Sequence, residues 1–174
     1  MWLAISIPIM IILTFVDYNT ISKISPILYV LMIISLIAVM FTKSVNGATS
    51  WFTIGSVSIQ PAEFAKIIAI ISLSTYVAKI QEKSKDQISR PTRLLLALTI
   101  VAVPVLLIVK QPDYGTAMAF CIALAMILFT AGIDKKYIIG AIIIAGISIP
   151  ILYNFILPEH AKKRIDIFLN PESD

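Results

Sequence analysis

Long apolar runs constrain this chain more than any other feature of its sequence. A helix needs about 20 consecutive apolar residues to cross the hydrocarbon core of a bilayer, and six stretches approach that length. They are too long for the strands of a membrane barrel and lack period-two alternation, so the sequence predicts helices. We expect an all-α polytopic membrane protein with one membrane domain over 1–174, spans at about 1–16, 26–42, 61–81, 94–110, 113–132 and 137–157, and the start of a large loop at 158–174.

The composition supports a membrane protein and argues against a nucleic-acid-binding one. Charged residues make up 14% of the chain, against about 25% in soluble domains, and the mean hydropathy is +0.94. The net charge is +4, but no basic stripe is interleaved with aromatic residues. In a membrane protein an excess of Lys and Arg mainly reports topology. Cys121, the single cysteine, lies in an apolar run and predicts no disulfide framework.

Three prolines, Pro8, Pro104 and Pro150, fall inside the predicted spans. A proline removes one helical hydrogen bond and leaves a carbonyl without its donor. We expect neighbouring helices to satisfy these carbonyls, as is usual in membrane helices.

Basic residues are unequally divided between the two sides of the predicted helix array. The loops at 17–25, 82–93 and 133–136, with an adjoining helix end, carry eight of them: Lys23, Lys79, Lys83, Lys85, Arg90, Arg93, Lys135 and Lys136. The opposite loops carry five: Lys43, Lys110, Lys162, Lys163 and Arg164. The positive-inside rule therefore places the first side in the cytoplasm and 158–174 outside.

The start of the third span carries an acidic and a basic residue. Pro61 suits the first helical position, and Glu63 lies in the first turn, where the helix dipole favours an acid. Lys66 lies one turn further, near the positive helix end, and the i, i+3 spacing lets it pair with Glu63. Since ionisable groups inside spans usually face a cavity or pathway, two interpretations stay open: a structural ion pair, or a pair that lines a polar site.

A short polar connection, 110–116, joins the fourth and fifth spans. Lys110 is placed to cap the end of one helix, and Asp113 is predicted in the first turn of the next. A tight turn accounts for most of this segment, and the alternative is that Gln111 and Asp113 support a nearby site.

The last loop combines a basic cluster with an amphipathic pattern. Lys162, Lys163 and Arg164 could contact phosphate groups, or they could form a basic membrane-surface loop. Ile165, Phe168 and Leu169 share one face of a short helix, which would hold Asp174 at headgroup level. We interpret His160 as an exposed loop residue, and its distance in sequence from Cys121 argues against a Cys-His pair or a metal site built on them.

The residues Asn170-Pro171-Glu172 are typical of a helix start, with an N-cap, a proline and an acid in order. Because a helix that opens so close to the last residue would have little length, we expect this sequence to be part of a longer protein.

Three of these segments together resemble one family. The segment 60–66, the turn 111–116, and Arg164 with the closing Asn-Pro-Glu-Ser-Asp at 170–174 are similar to the SEDS proteins RodA, FtsW and SpoVE, in order and in placement between spans. The closing segment looks more like the RodA branch. The resemblance covers essentially the whole chain.

The resemblance implies a ten-helix membrane enzyme, of which this chain would hold the second to seventh helices. Such enzymes polymerise lipid II into peptidoglycan strands outside the bacterial cytoplasmic membrane, here for cell-wall elongation and cell shape, together with a class B penicillin-binding protein. Lacking the other helices, the 174-residue chain would be inactive alone.

The resemblance also implies the site residues. The catalytic Asp of the family matches Asp174, and its polar pair matches Glu63 and Lys66. Transfer of a sugar from undecaprenyl pyrophosphate needs a base for the attacking hydroxyl and cationic help for the leaving group. Asp174 would be the base in one inverting displacement. The basic cluster 162–164 would contact phosphate, alone or with a divalent cation such as Mg or Mn whose ligands stay unassigned.

Two other functions remain open from the sequence. One is a flippase that moves lipid II across the membrane without bond chemistry, for which a polar pair among helices would provide a path. The other is a membrane scaffold that recruits the penicillin-binding partner, for which no ionisable group would be essential.

Overall fold

A computed structural model describes residues 2–42, 49–55, 57–82, 88–156 and 162. Within these ranges the chain divides into two compact units, residues 1–132 and 133–174. The helices and strands, in chain order, are α1 (Trp2–Thr14), α2 (Tyr18–Val39), β1 (Phe52–Ile54), β2 (Val57–Ile59), α3 (Pro61–Gln81), α4 (Pro91–Lys110), α5 (Tyr114–Thr130) and α6 (Lys135–Ile151), with a π-helical turn at Leu152–Ile156.

The prediction of a helical, multi-pass membrane protein is confirmed. Tyr18–Val39, Pro91–Lys110 and Lys135–Phe155 are long and apolar enough to cross a membrane, and Tyr114–Thr130 is a shorter apolar helix. Helix α3 is of similar length but carries Glu63, Lys66 and Lys79.

The segment before α3 departs from the all-α expectation. Residues 52–54 and 57–59 pair as an antiparallel hairpin, with Thr53 opposite Ser58. Gly55 begins the connection with a φ of +62°, a conformation that suits glycine because it has no Cβ. The sequence predicts a turn at this glycine, but three-residue strands are too short for a recognisable alternation. The sequence also predicts a turn at Gly47, which lies outside the described residues.

Helix α2 begins well before the predicted span at 26–42. Asp17 is its N-cap, and its side chain accepts from the backbone N–H of Asn19 at 3.3 Å. Lys23 is therefore a helical residue rather than a loop residue. Pro26 did not end the helix, because the membrane offers no alternative to intrahelical bonds and a local side chain satisfies the carbonyl that Pro26 frees.

Helix α3 lies at the centre of the first unit, where it contacts α2, α4 and α5. Its buried residues recur at helical spacing along one side: Ala62, Ala65, Ala69, Leu73, Val77 and Ile80. The alanines of the first half let neighbouring backbones approach closely, which is how membrane helices gain contact without a hydrophobic driving force. Phe64 and Ile67, on the other side, are 59% and 60% exposed, as expected for a lipid-facing surface.

Two carbonyls that helix prolines leave without a donor are satisfied by side chains. Pro104 removes the N–H that would bond to Ile100, and the hydroxyl of Tyr29, on α2, donates to the Ile100 carbonyl at 2.9 Å. Pro26 frees the Ser22 carbonyl, which accepts from the Ser25 hydroxyl at 2.9 Å. At Pro104 the donor to the freed carbonyl comes from a neighbouring helix, as expected. At Pro26 the donor comes from the same helix.

The second unit contains α6 and the π-helical turn. Asp134 and Lys136 form an ion pair of 3.0 Å at the start of α6. Pro150 lies in its last turn, and the Asn154 side chain donates to the Pro150 carbonyl at 2.8 Å. The wider π turn thus follows directly on a proline, a residue that disturbs regular helical bonding.

We expect Tyr29→Phe to destabilise the protein by about 1 kcal/mol, because it leaves the Ile100 carbonyl without a donor in a medium that has no water. The measurement is the thermal unfolding midpoint in detergent. Tyr18→Phe is the matched control, since Tyr18 lies at the start of the same helix and is 77% exposed. Equal midpoints for the two variants would contradict this account of the proline.

Candidate functional site

Three chain segments meet at one end of the first unit: the C-terminus of α2, the N-terminus of α3 and the turn between α4 and α5. Two long-range hydrogen bonds hold them. The Gln111 side chain donates to the Leu36 carbonyl at 2.9 Å, and the Gln60 side chain donates to the Asp113 carboxylate at 2.6 Å. We name Gln60, Asp113 and Gln111, together with Glu63 and Lys66, the polar end.

Glu63 and Lys66 form the ion pair that their spacing predicts. Lys66 Nζ lies 2.9 Å from Glu63 Oε1, and the two side chains are 30% and 55% exposed, respectively. The Glu63 N–H also donates to the Gln60 carbonyl at 3.2 Å as part of the first helical turn. An ion pair this exposed contributes little to stability in an aqueous setting. The same exposure leaves the pair accessible to a further ligand.

Lys66 also lines a cavity of about 40 Å³ between α3, α4 and α5. The remaining lining is apolar: Ala69, Ile70, Leu73, Val101, Ala119, Phe120, Ala123, Leu124 and Ile127. Lys66 therefore pairs with a carboxylate through its ammonium and also lines an apolar cavity, as ionisable groups inside membrane spans usually do.

Asp113 is the N-cap of α5 rather than a residue of its first turn. Its Oδ1 accepts from the Thr116 N–H at 3.2 Å, and its Oδ2 accepts from the Thr116 hydroxyl at 2.9 Å as well as from Gln60. The carboxylate thus satisfies an unpaired helix N–H and is held by three donors. Its role in supporting a nearby site stays a prediction.

Gln111 is completely buried, which is rare for this residue type. Its amide donates to one of the last four carbonyls of α2, the groups that have no intrahelical donor. The neighbouring carbonyls, of Ile37, Ala38 and Val39, accept from Met40, Phe41 and Thr42. Gln111 Oε1 is buried without a hydrogen-bond partner among the described residues, so the side chain forms its described hydrogen bond through the amide N–H.

The other predicted site residues lie in the second unit or outside the described residues. Asp174, Lys163 and Arg164 lie outside the described residues, as does the predicted amphipathic segment around them. Lys162 belongs to the second unit, where its Nζ lies 6.0 Å from the centre of the Tyr153 ring. Their roles stay predictions.

The described ranges contain no group of three or more His, Cys, Asp or Glu residues that could hold a metal ion. Glu63 is paired with Lys66, and Asp113 accepts hydrogen bonds from Gln60 and Thr116.

The sequence interpretation missed one member of the polar end, Gln60. A signal was present: Gln60 stands at the N-cap of α3, where Ser, Thr, Asp and Asn are preferred. Its side chain makes no capping bond to α3, and a poor capping residue at that position indicates that the side chain has another partner.

These helices and their polar end define a multi-pass membrane protein with a polar site at one end of a helix group. The whole chain, residues 1–174, matches the family of cell cycle proteins that includes FtsW, RodA and SpoVE. The chain belongs to this family, as its sequence segments predict.

Curated relatives agree with that membership. Peptidoglycan glycosyltransferase MrdB of Escherichia coli K12 is 29% identical over 175 residues, 99% of this chain and 45% of that protein. An FtsW protein of Pseudoalteromonas atlantica is 34% identical over 148 residues, 84% of this chain and 29% of that protein. The chain spans about half the length, or less, of the curated relatives it matches.

Two solved structures share the fold. A chain of a peptidoglycan synthase complex, described as coordinating polymerization and crosslinking, aligns with a TM-score of 0.79 and 22% identity over 99% of this chain and 50% of that chain. The rod shape determining protein RodA of Thermus thermophilus aligns with a TM-score of 0.65 and 22% identity over 79% of this chain and 44% of that chain.

We expect Asp113→Ala to lower stability by about 1–2 kcal/mol, the usual cost of losing an N-cap, with the loss of the Gln60 bond added to it. The midpoint of thermal unfolding in detergent measures this effect. Asp17→Ala removes the N-cap of α2, which makes no bond to another helix among the described contacts, and should cost less. A larger loss for Asp17→Ala would contradict the importance of the Gln60–Asp113 bond.

Proposed function

We propose that this protein is part of a peptidoglycan glycosyltransferase that polymerises lipid II into glycan strands at the bacterial cytoplasmic membrane. The observation that carries the proposal is the family match over residues 1–174, together with the glycosyltransferase activity that the name of MrdB states for that relative. The polar end supports it, because a lipid-linked substrate with a charged headgroup needs polar groups at the end of membrane helices.

The proposed reaction is a single displacement at the anomeric carbon of the donor sugar. The 4-hydroxyl oxygen of the acceptor forms the new bond to that carbon, and the bond from that carbon to the pyrophosphate oxygen breaks. The hydroxyl proton passes to a base, and the electron pair of the broken bond leaves with undecaprenyl pyrophosphate. Attack opposite the leaving group inverts the configuration.

Asp174 is the proposed base, on the strength of the closing Asn-Pro-Glu-Ser-Asp segment. Lys162, Lys163 and Arg164 are proposed to contact the departing pyrophosphate, where positive charge stabilises the developing negative charge. A divalent cation, Mg²⁺ or Mn²⁺, would share that neutralisation when bound.

Glu63 and Lys66 are proposed to contact the polar headgroup of the lipid substrate. Lys66 presents a cation whose apolar stem lies along the cavity between α3, α4 and α5, so it can meet a charged headgroup while its stem stays among apolar groups. Glu63 can accept from sugar hydroxyls or amides, and it holds the Lys66 ammonium in place.

The proposed setting is a complex with a class B penicillin-binding protein, serving cell-wall elongation and cell shape. Support comes from the structural similarity to a chain in a peptidoglycan synthase complex. The eight-to-five division of basic residues supports an orientation in which 158–174 faces the outside.

We expect Asp174→Asn to abolish polymerisation by the complete gene product with its penicillin-binding partner in detergent. A lost general base lowers the rate by about 10²–10⁴-fold. Lengths of glycan strands made from lipid II, resolved on a gel, measure the effect.

Asp17→Asn is the matched control for that experiment, since it removes a carboxylate from an N-cap where Asn serves equally well. Equal polymer from the parent and Asp174→Asn would exclude Asp174 as the base. If neither the parent nor Asp174→Asn makes polymer, while both carry lipid II across vesicle membranes, the flippase alternative is correct. If the protein recruits the penicillin-binding partner but neither polymerises lipid II nor carries it across membranes, the scaffold alternative is correct.

We expect Lys66→Met to raise the KM for lipid II about tenfold, equivalent to about 1.4 kcal/mol of lost binding, because it removes the cation and keeps an apolar side chain at the cavity. Lys79→Met is the control, since Lys79 lies in the last turn of the same helix. An unchanged KM for Lys66→Met would assign the Glu63–Lys66 pair a purely structural role.

A further inference from the structure

Gln60 uses its side chain in a way that its position in α3 does not explain. It stands at the N-cap, directly before Pro61, yet makes no side-chain capping bond. Its amide instead donates over 2.6 Å to Asp113, a residue 53 positions along the chain. The bond is part-buried and its acceptor is a carboxylate, both of which make it stronger than an ordinary surface hydrogen bond.

The partner of Gln60 is itself fixed. The Asp113 carboxylate caps α5 through the N–H and the hydroxyl of Thr116, so it cannot follow Gln60 if α3 shifts. The bond therefore ties the start of α3 to a rigid reference point on another helix.

Glu63 and Lys66 follow Gln60 closely along α3. The Glu63 N–H donates to the Gln60 carbonyl, and the Lys66 ammonium bonds to Glu63. A change in the start of α3 would pass through one helical turn to both charged groups. Small displacements of substrate-positioning groups have large effects, about 10²-fold for 1 Å.

We propose that Gln60 is a positioning residue for the lipid substrate, which sets the place of the Glu63–Lys66 pair relative to the α4–α5 turn. This inference rests on the proposed function, since it requires that the pair contacts the substrate headgroup. Gln60 itself touches Asp113 rather than the substrate.

The test is steady-state kinetics of lipid II polymerisation by the complete gene product with its partner, using Gln60→Glu and Gln60→Met. The first variant places a carboxylate against Asp113, and the second keeps the side-chain length without a donor, so that it remains informative if the charged variant fails to fold. We expect both to raise KM about tenfold while kcat stays within about twofold, the pattern of lost binding rather than lost chemistry.

Gln81→Glu is the matched control. Gln81 lies at the opposite end of the same helix, and its side chain donates to the Ala131 carbonyl at 2.7 Å. This variant loses a bond between α3 and the end of α5, so its unfolding midpoint should also fall. Its KM should equal that of the parent.

A charge exchange provides the rescue. In the double variant Gln60→Glu with Asp113→Asn, the introduced amide can donate both to the introduced carboxylate and to the Thr116 hydroxyl, which then accepts. Asn also caps a helix as well as Asp does. We expect the double variant to return the KM to within about threefold of the parent value, since the bond is restored in the reverse direction.

A parent KM in Gln60→Met, or an equal rise in Gln81→Glu, would overturn the inference while the proposed function stands. An active double variant with the KM of Gln60→Glu would overturn it as well. A parent protein that makes no polymer would instead overturn the proposed function on which the inference rests.

Discussion

A backbone carbonyl inside a bilayer has no water to replace a lost hydrogen-bond donor. The helices of this protein therefore depend on which other group donates to each such carbonyl. The Tyr29 hydroxyl serves the carbonyl that Pro104 frees on another helix, and the Ser25 hydroxyl serves the one that Pro26 frees on its own. The same requirement explains a fully buried Gln111, whose amide bonds to a carbonyl at the end of α2. Polar residues that look out of place in apolar helices are therefore part of the backbone hydrogen bonding.

Helix α3 joins this framework to the site. Its buried alanines allow close contact with its neighbours, while its first two turns carry the Glu63–Lys66 pair at the edge of an apolar cavity. The ion pair is partly exposed, so the surrounding structure, rather than the pair itself, determines where the charges stand. The hydrogen bond between Gln60 and Asp113 connects the start of α3 to the rest of the structure. Gln60 directly precedes α3, and Asp113 is held in place because it caps α5.

Sequence patterns predicted the helices and the local pair well, and the long-range contacts poorly. The i, i+3 spacing was sufficient for Glu63 and Lys66, since helical geometry alone brings them together. The partner of Gln60 lies 53 residues away, and no local rule connects the two. The early start of α2 was missed because Pro26 suggested a boundary, whereas a neighbouring serine satisfies the carbonyl that it frees. The hairpin at 52–59 was missed because its strands are too short to show a period.

The separation in sequence of the contacting residues has a consequence for biosynthesis. The hydrogen bonds from Tyr29 to Ile100 and from Gln111 to Leu36 span 71 and 75 residues. When α2 first enters the membrane, the ribosome has not yet made either of those distant partners. The two bonds can therefore form only after α4 and the turn that follows it have been made. Insertion of α2 thus precedes the completion of its hydrogen bonds to other parts of the chain.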